Sequence, residues 1–198
     1  METETTPGKT WQITVAKFLL ALGLFGPARR LDPTIPASPE GEDEAQHFVL
    51  RVVQPGLAGL MDGSVSTLAP IFATAFVSHK AFDAFLVGMA SATGAGISMA
   101  FAEGLSDNGE LTGRGSPLIR GAITGLMTFF GGALHTLPFL LGNLQTALIA
   151  AYVVVAIELT VISAIRHRFF GTNWGLSIVQ VVGSGILVFI AAILFGNA

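Results

Sequence analysis

The chain has no cysteine, which excludes disulfides and thiolate metal sites and leaves the redox compartment open. It is also poor in charge. Only 12% of its 198 residues are Asp, Glu, Lys or Arg, where a soluble domain carries about a quarter. Apart from histidine, charges are missing from Ala84 to Ala102, from Gly121 to Ile157 and from Phe169 to Ala198. What fills these runs is apolar: 52% of the chain is hydrophobic and the mean hydropathy is +0.68. A membrane-spanning helix needs about 20 such residues to cross a core of about 30 Å. The net charge of −3 reflects acids gathered near the N-terminus, and nothing in it points to a nucleic-acid partner.

Residues 1–46 read as an N-terminal cytoplasmic tail. WQITVAKFLLALGLFG (11–26) is apolar but short, interrupted by Lys17 and followed by Pro27, Arg29 and Arg30. It lacks a small-residue cleavage site, so we read it as an amphipathic helix on the lipid surface. DPTIPASPEGEDEAQ is an acidic, Pro-rich linker. Residues 47–198 form the membrane domain, with spans expected at about 55–78, 82–105, 118–141, 145–166 and 174–195. Pro117 suits the first turn of the third span, where its missing N–H costs nothing. Gly88, Ala92, Gly96, Gly121 and Gly125 recur at helical spacing and are read as close helix packing. If the N-terminus is cytoplasmic, every Lys and Arg except Lys80 lies on that side, so the positive-inside rule predicts N-in, C-out. The predicted class is an all-α polytopic membrane protein with five spans.

Four ionisable residues remain within the spans: Asp62, Glu103, Glu158 and His135. A carboxylate at a span's centre costs about 2.5–3.5 kcal/mol on insertion scales, so these residues are candidates for function. Counted from the cytoplasmic ends, the three acids should share an inner-leaflet depth, with His135 near the outer end. Met99 precedes Glu103 by four residues and shares its helix face. A thioether beside carboxylates suits a first-row transition metal better than Mg²⁺ or Ca²⁺. Each residue also has a plain structural role open to it. Asp62 in LAGLMDGSVSTLAP fits a helix N-cap, and Glu103 an interfacial acid. Glu158 fits an arginine partner, His135 a hydrogen bond near the surface, and Met99 packing.

DGSVSTLAP on the first span, followed by GAGISMAFAEGLS at the end of the second, resembles the vacuolar iron transporter family. MAFAEGLSDNGELTGRGSP and GGALHTLPFL resemble, more narrowly, the membrane domain of bacterial membrane-bound-ferritin iron exporters. The likeness covers residues 54–196. It implies a five-helix homodimer in a bacterial cytoplasmic membrane that exports Fe²⁺ or Mn²⁺ as substrate, with no resident cofactor and with protons exchanged. It also implies that Asp62, Met99 and Glu103 line the metal path, leaving Glu158 and His135 for a proton relay or secondary site. Two features depart from it. Ser91 stands where eukaryotic members carry glutamate, and neither the cytosolic metal-binding insert nor a ferritin-like domain is found here. A separate cytosolic iron-storage partner would then deliver the metal. Two other classes compete with transport. One is a membrane anchor for such a ferritin-like partner. The other is an intramembrane serine enzyme, using VGSG (182–185) and His135; its motif has Val182 where glycine is needed. The expectation is therefore a transporter rather than an enzyme.

Overall fold

The structure, a computed structural model, describes residues 46–109 and 112–196; the tail helix and linker expected before them lie outside the described residues. A π-helical turn, Val49–Val53, leads into α1 (Gln54–Ser66), and α2 (Leu68–Ser78) continues it after a break at Thr67. Next come α3 (Ala81–Gly104), α4 (Pro117–Leu134), a 3₁₀ turn (Leu137–Leu141), α5 (Leu144–Phe170) and α6 (Trp174–Gly196). No strand occurs among the described residues. Five helical stretches are long and apolar enough to cross a membrane: Gln46–Ser78, Ala81–Gly104, Pro117–Leu141, Leu144–Phe170 and Trp174–Gly196. The fold is therefore that of an all-helical, multi-pass membrane protein.

Two spans outrun the sequence reading. The first starts at Gln46: Pro55 has no N–H for the Arg51 carbonyl, and the π turn Val49–Val53, with the Gln54 N–H donating to Val49 O, carries the helix across that gap. The fourth continues to Phe170, because His167 and Arg168 in the last turn complement the helix dipole. It stops at Gly171, whose φ of 61° is a left-handed cap.

The breaks in the first and third spans have one cause. Pro70 has no N–H for the Ser66 carbonyl, and its ring crowds that carbonyl, so α1 ends at Ser66. Thr67 Oγ1 donates instead to Gly63 O at 2.8 Å, a back-bond of the kind that bends helices. Pro138 stands in the same relation to Leu134, the last residue of α4, and His135 caps that helix. Each break falls three residues before a proline.

Packing relies on missing side chains. A Cβ at Gly59 or Gly63 of α1 would collide with the Thr124 and Thr128 carbonyls of α4. On α3, a Cβ at Gly96 would lie 2.9 Å from Gly125 O, and one at Gly88 would lie 2.5 Å from Thr136. Helix α4 thus carries α1 on one face and α3 on another, in the small-residue manner of membrane helices. The buried apolar side chains form two clusters. Leu57, Leu60, Leu159, Ile162 and Val181 lie toward the loop that joins α3 to α4. Leu68, Ile71, Phe72, Phe139 and the alanines Ala147, Ala151 and Ala192 lie toward the opposite end.

Candidate functional site

At the loop end, α3 delivers Glu103 and α4 delivers Arg120 in its first turns. Arg120 is 1% exposed, and its Nε donates to Glu103 Oε1 at 2.8 Å. Its other nitrogens reach Asp107 Oδ2 at 3.2 Å, Gly115 O at 3.0 Å and the Asp107 carbonyl at 3.3 Å. Arg114 joins Glu103 at 2.7 Å and Asp107 at 3.0 Å. Two arginines and two acids thus tie the loop back onto the helix ends. Gly115 closes the turn at φ +72°, where a Cβ would lie 2.9 Å from Arg51. Burial pushes the Asp107 carboxyl up. The Gly109 N–H, the Arg120 charge, the Thr112 hydroxyl and Arg114 outweigh it and hold the group below its ordinary value.

Asp62 is not an N-cap. That position belongs to Val53, and Asp62 lies in the body of α1. It is half-buried, with no hydrogen bond or ion pair among the described residues. Its neighbour Gly63 rests on Thr128, and Ala100, the neighbour of Met99, rests on Gly125. Thr128 and Gly125 are three residues apart on α4, so Asp62 and Met99 lie within about one helical turn of each other in depth. The α4 faces that meet α1 and α3 are roughly 100° apart, so these two helices are neighbours around it. Asp62 and Met99 turn toward the groove between them, and Met99 is likewise half-buried. Glu103 lies a turn nearer the loop, held by its arginines.

Glu158 and His135 correct the depth expectation. His135 is fully buried rather than hydrogen-bonded near the surface, because Thr67 and Glu158 enclose its ring. Its Nδ1 is 2.9 Å from Glu158 Oε2, and its Nε2 is 2.8 Å from Thr67 Oγ1. Glu158 is thus paired with histidine rather than arginine. Its partner His135 sits fifteen residues beyond Arg120 at the far end of α4, roughly 22 Å at 1.5 Å per residue, so Glu158 shares no layer with Glu103. This triad separates the two apolar clusters and joins both proline-induced breaks. Both ring nitrogens of His135 are engaged, and Ser184 donates to Val181 O at 2.8 Å, so no Ser184–His135 hydrogen bond exists.

Thr67, Arg114, Arg120 and Asp107 were not singled out by the sequence reading. A proline three residues after Thr67, and again after His135, was the available signal for the first. Among the described residues, no group of three Asp, Glu, His or Cys side chains forms a metal cage. Comparisons with protein-family models, with curated proteins and with solved structures find no match to this chain.

Proposed function

We propose that the protein exports a divalent transition metal, Fe²⁺ or Mn²⁺, from a bacterial cytoplasm in exchange for protons. The observation that carries this reading is the state of Asp62. Glu103 is neutralised by arginines and Glu158 faces histidine, whereas Asp62 keeps a carboxylate inside a span with no partner among the described residues. An unpaired charge there is costly unless a cation visits it. Met99, within about a turn of it in depth, adds a soft donor, which favours first-row transition metals over Mg²⁺ or Ca²⁺.

One chain offers too few donors for a full shell. A second copy meeting across the α1–α3 groove would supply another Asp62 and Met99, so the working unit in this reading is a homodimer in lipid. Glu103, with its arginines on the cytoplasmic side under N-in topology, serves as an entrance residue. The test is metal flux into sealed proteoliposomes. Wild-type protein should move Fe²⁺ or Mn²⁺, and folded Asp62→Asn protein should not. No flux from the wild type would favour the alternative, an anchor that docks a separate ferritin-like partner.

A further inference from the structure

We propose that Thr67, His135 and Glu158 form a buried site for one exchangeable proton, and that this proton, rather than one on Asp62, is exchanged for the metal. The second half rests on the exporter reading; the first does not.

Hydrogen-bond bookkeeping defines the site. Thr67 Oγ1 owns one proton and lies 2.8 Å from both Gly63 O and His135 Nε2. While it donates to the Gly63 carbonyl it can only accept from the ring, so Nε2 carries hydrogen. One more proton then lies between Nδ1 and Glu158 Oε2, 2.9 Å apart. Whether carboxyl or imidazole holds it, the pair is neutral overall. Glu158 Oε1 is buried with no hydrogen-bond partner. An orphaned carbonyl oxygen costs less there than an orphaned carboxylate oxygen, which favours the neutral glutamic acid donating to Nδ1.

The same three residues accept loss of that proton. The ring proton moves to Nδ1 and donates to the Glu158 carboxylate; bare Nε2 accepts from Thr67, whose hydroxyl rotates off Gly63 O. The rotation links the site to α1, because the released carbonyl belongs to the residue after Asp62.

Among the described residues, no other ionisable group is bonded to the triad. The first span contributes only Asp62 at depth, and α3 has Asp83 and Glu103 near its ends. Helix α4 has Arg120 in the loop cluster, and α6 has none. On α5, Tyr152 stacks on Phe72 at 5.1 Å, and Arg166, His167 and Arg168 lie in the last turns. The triad also occupies two helix breaks, and interrupted membrane helices are where transporters expose backbone to an ion.

The test uses full-length protein in two settings. In lipid nanodiscs, infrared difference spectra over a pH series should show the C=O band of a buried carboxylic acid. It should vanish in Glu158→Gln and shift in His135→Gln. In proteoliposomes carrying an imposed pH gradient, wild-type Mn²⁺ flux should change by up to about tenfold per pH unit, as one linked proton dictates. In both variants the ratio of flux with the gradient to flux without it should fall to within about twofold. Thr67→Ser, which keeps the hydroxyl, should behave as wild type and shows that the fold tolerates change here. Absence of any Glu158-dependent acid band overturns the proton site. Unchanged gradient dependence in both folded variants overturns its role in exchange. If wild-type protein moves no Mn²⁺ at all, the exporter reading falls, and the infrared band alone decides the proton site.

Discussion

The loop cluster and the buried triad are two answers to one problem, a carboxylate in a membrane domain. Glu103 is answered by Arg114 and Arg120, and Glu158 by His135. Arginine stays charged at every relevant pH, so the first arrangement is a permanent clamp that fixes the α3–α4 loop. Histidine offers Glu158 a hydrogen bond from a ring that also bonds Thr67, so the second is a chain of hydrogen bonds in which a proton can be repositioned without moving the backbone. Asp62, a third acid, has no partner of either kind among the described residues. The nature of the partner, not the acid itself, separates structure from function here.

Breaking the clamp should produce the largest effect. Arg120→Met removes a fully buried guanidinium and leaves Glu103 and Asp107 to one arginine. Loss of one partner of a buried ion pair costs about 3–5 kcal/mol, so thermal unfolding in detergent should shift down by many degrees. An unchanged midpoint would mean that the cluster is not a clamp.

Asp62→Asn should do the opposite, sparing stability and removing function. Asparagine keeps size and hydrogen bonding, but losing an anionic ligand in a poorly hydrated site costs several kcal/mol of metal affinity. Flux should fall by about 100-fold or more, each 1.4 kcal/mol being tenfold. Glu103→Gln should instead lower the unfolding midpoint while retaining more flux. Equal loss in both variants would erase the distinction between them.

Thr67→Val tests the triad from its neutral end. It leaves the His135 Nε2–H buried without an acceptor, at a cost of about 1–3 kcal/mol, whereas Thr67→Ser should cost less. Calorimetry of the two variants measures the difference. Met99→Leu preserves volume and deletes only the sulfur, so flux should drop by about a few-fold and stability hardly move.

The smallest effect concerns acid. Because Asp107 is held below its ordinary value, its contribution to the clamp is complete above the ordinary aspartate range, about 3.9. It is lost only as pH falls through the lowered value. Proteolysis or hydrogen exchange of the 105–116 loop should therefore stay constant from neutrality to about pH 4, then rise. Release at mildly acidic pH would place the clamp's weak point elsewhere.

The five spans were legible because hydropathy is additive along the chain: a long apolar run has no other way to satisfy its backbone in lipid. The start of the third span was legible because Pro117 acts through local backbone geometry alone. The ends at Gln46 and Phe170 were harder, since a π turn and a favourable helix dipole carry the first and fourth spans past charged residues.

The sequence by itself singled out Asp62, Glu103, Glu158 and His135 within the spans, since each interrupts an otherwise apolar run. Only the tertiary structure decided their partners. Glu158 and Glu103 are the same residue at similar counted depths, yet one meets His135 across the bundle and the other meets Arg120 at its edge. That difference depends on how far each helix extends and how it is rotated about its neighbours. Two prolines three residues beyond Thr67 and His135 set where α1 and α4 stop, and glycine contacts against α4 set the spacing of α1 and α3. Distances of a few ångströms between residues far apart in the chain follow from those contacts, and linear spacing does not encode them.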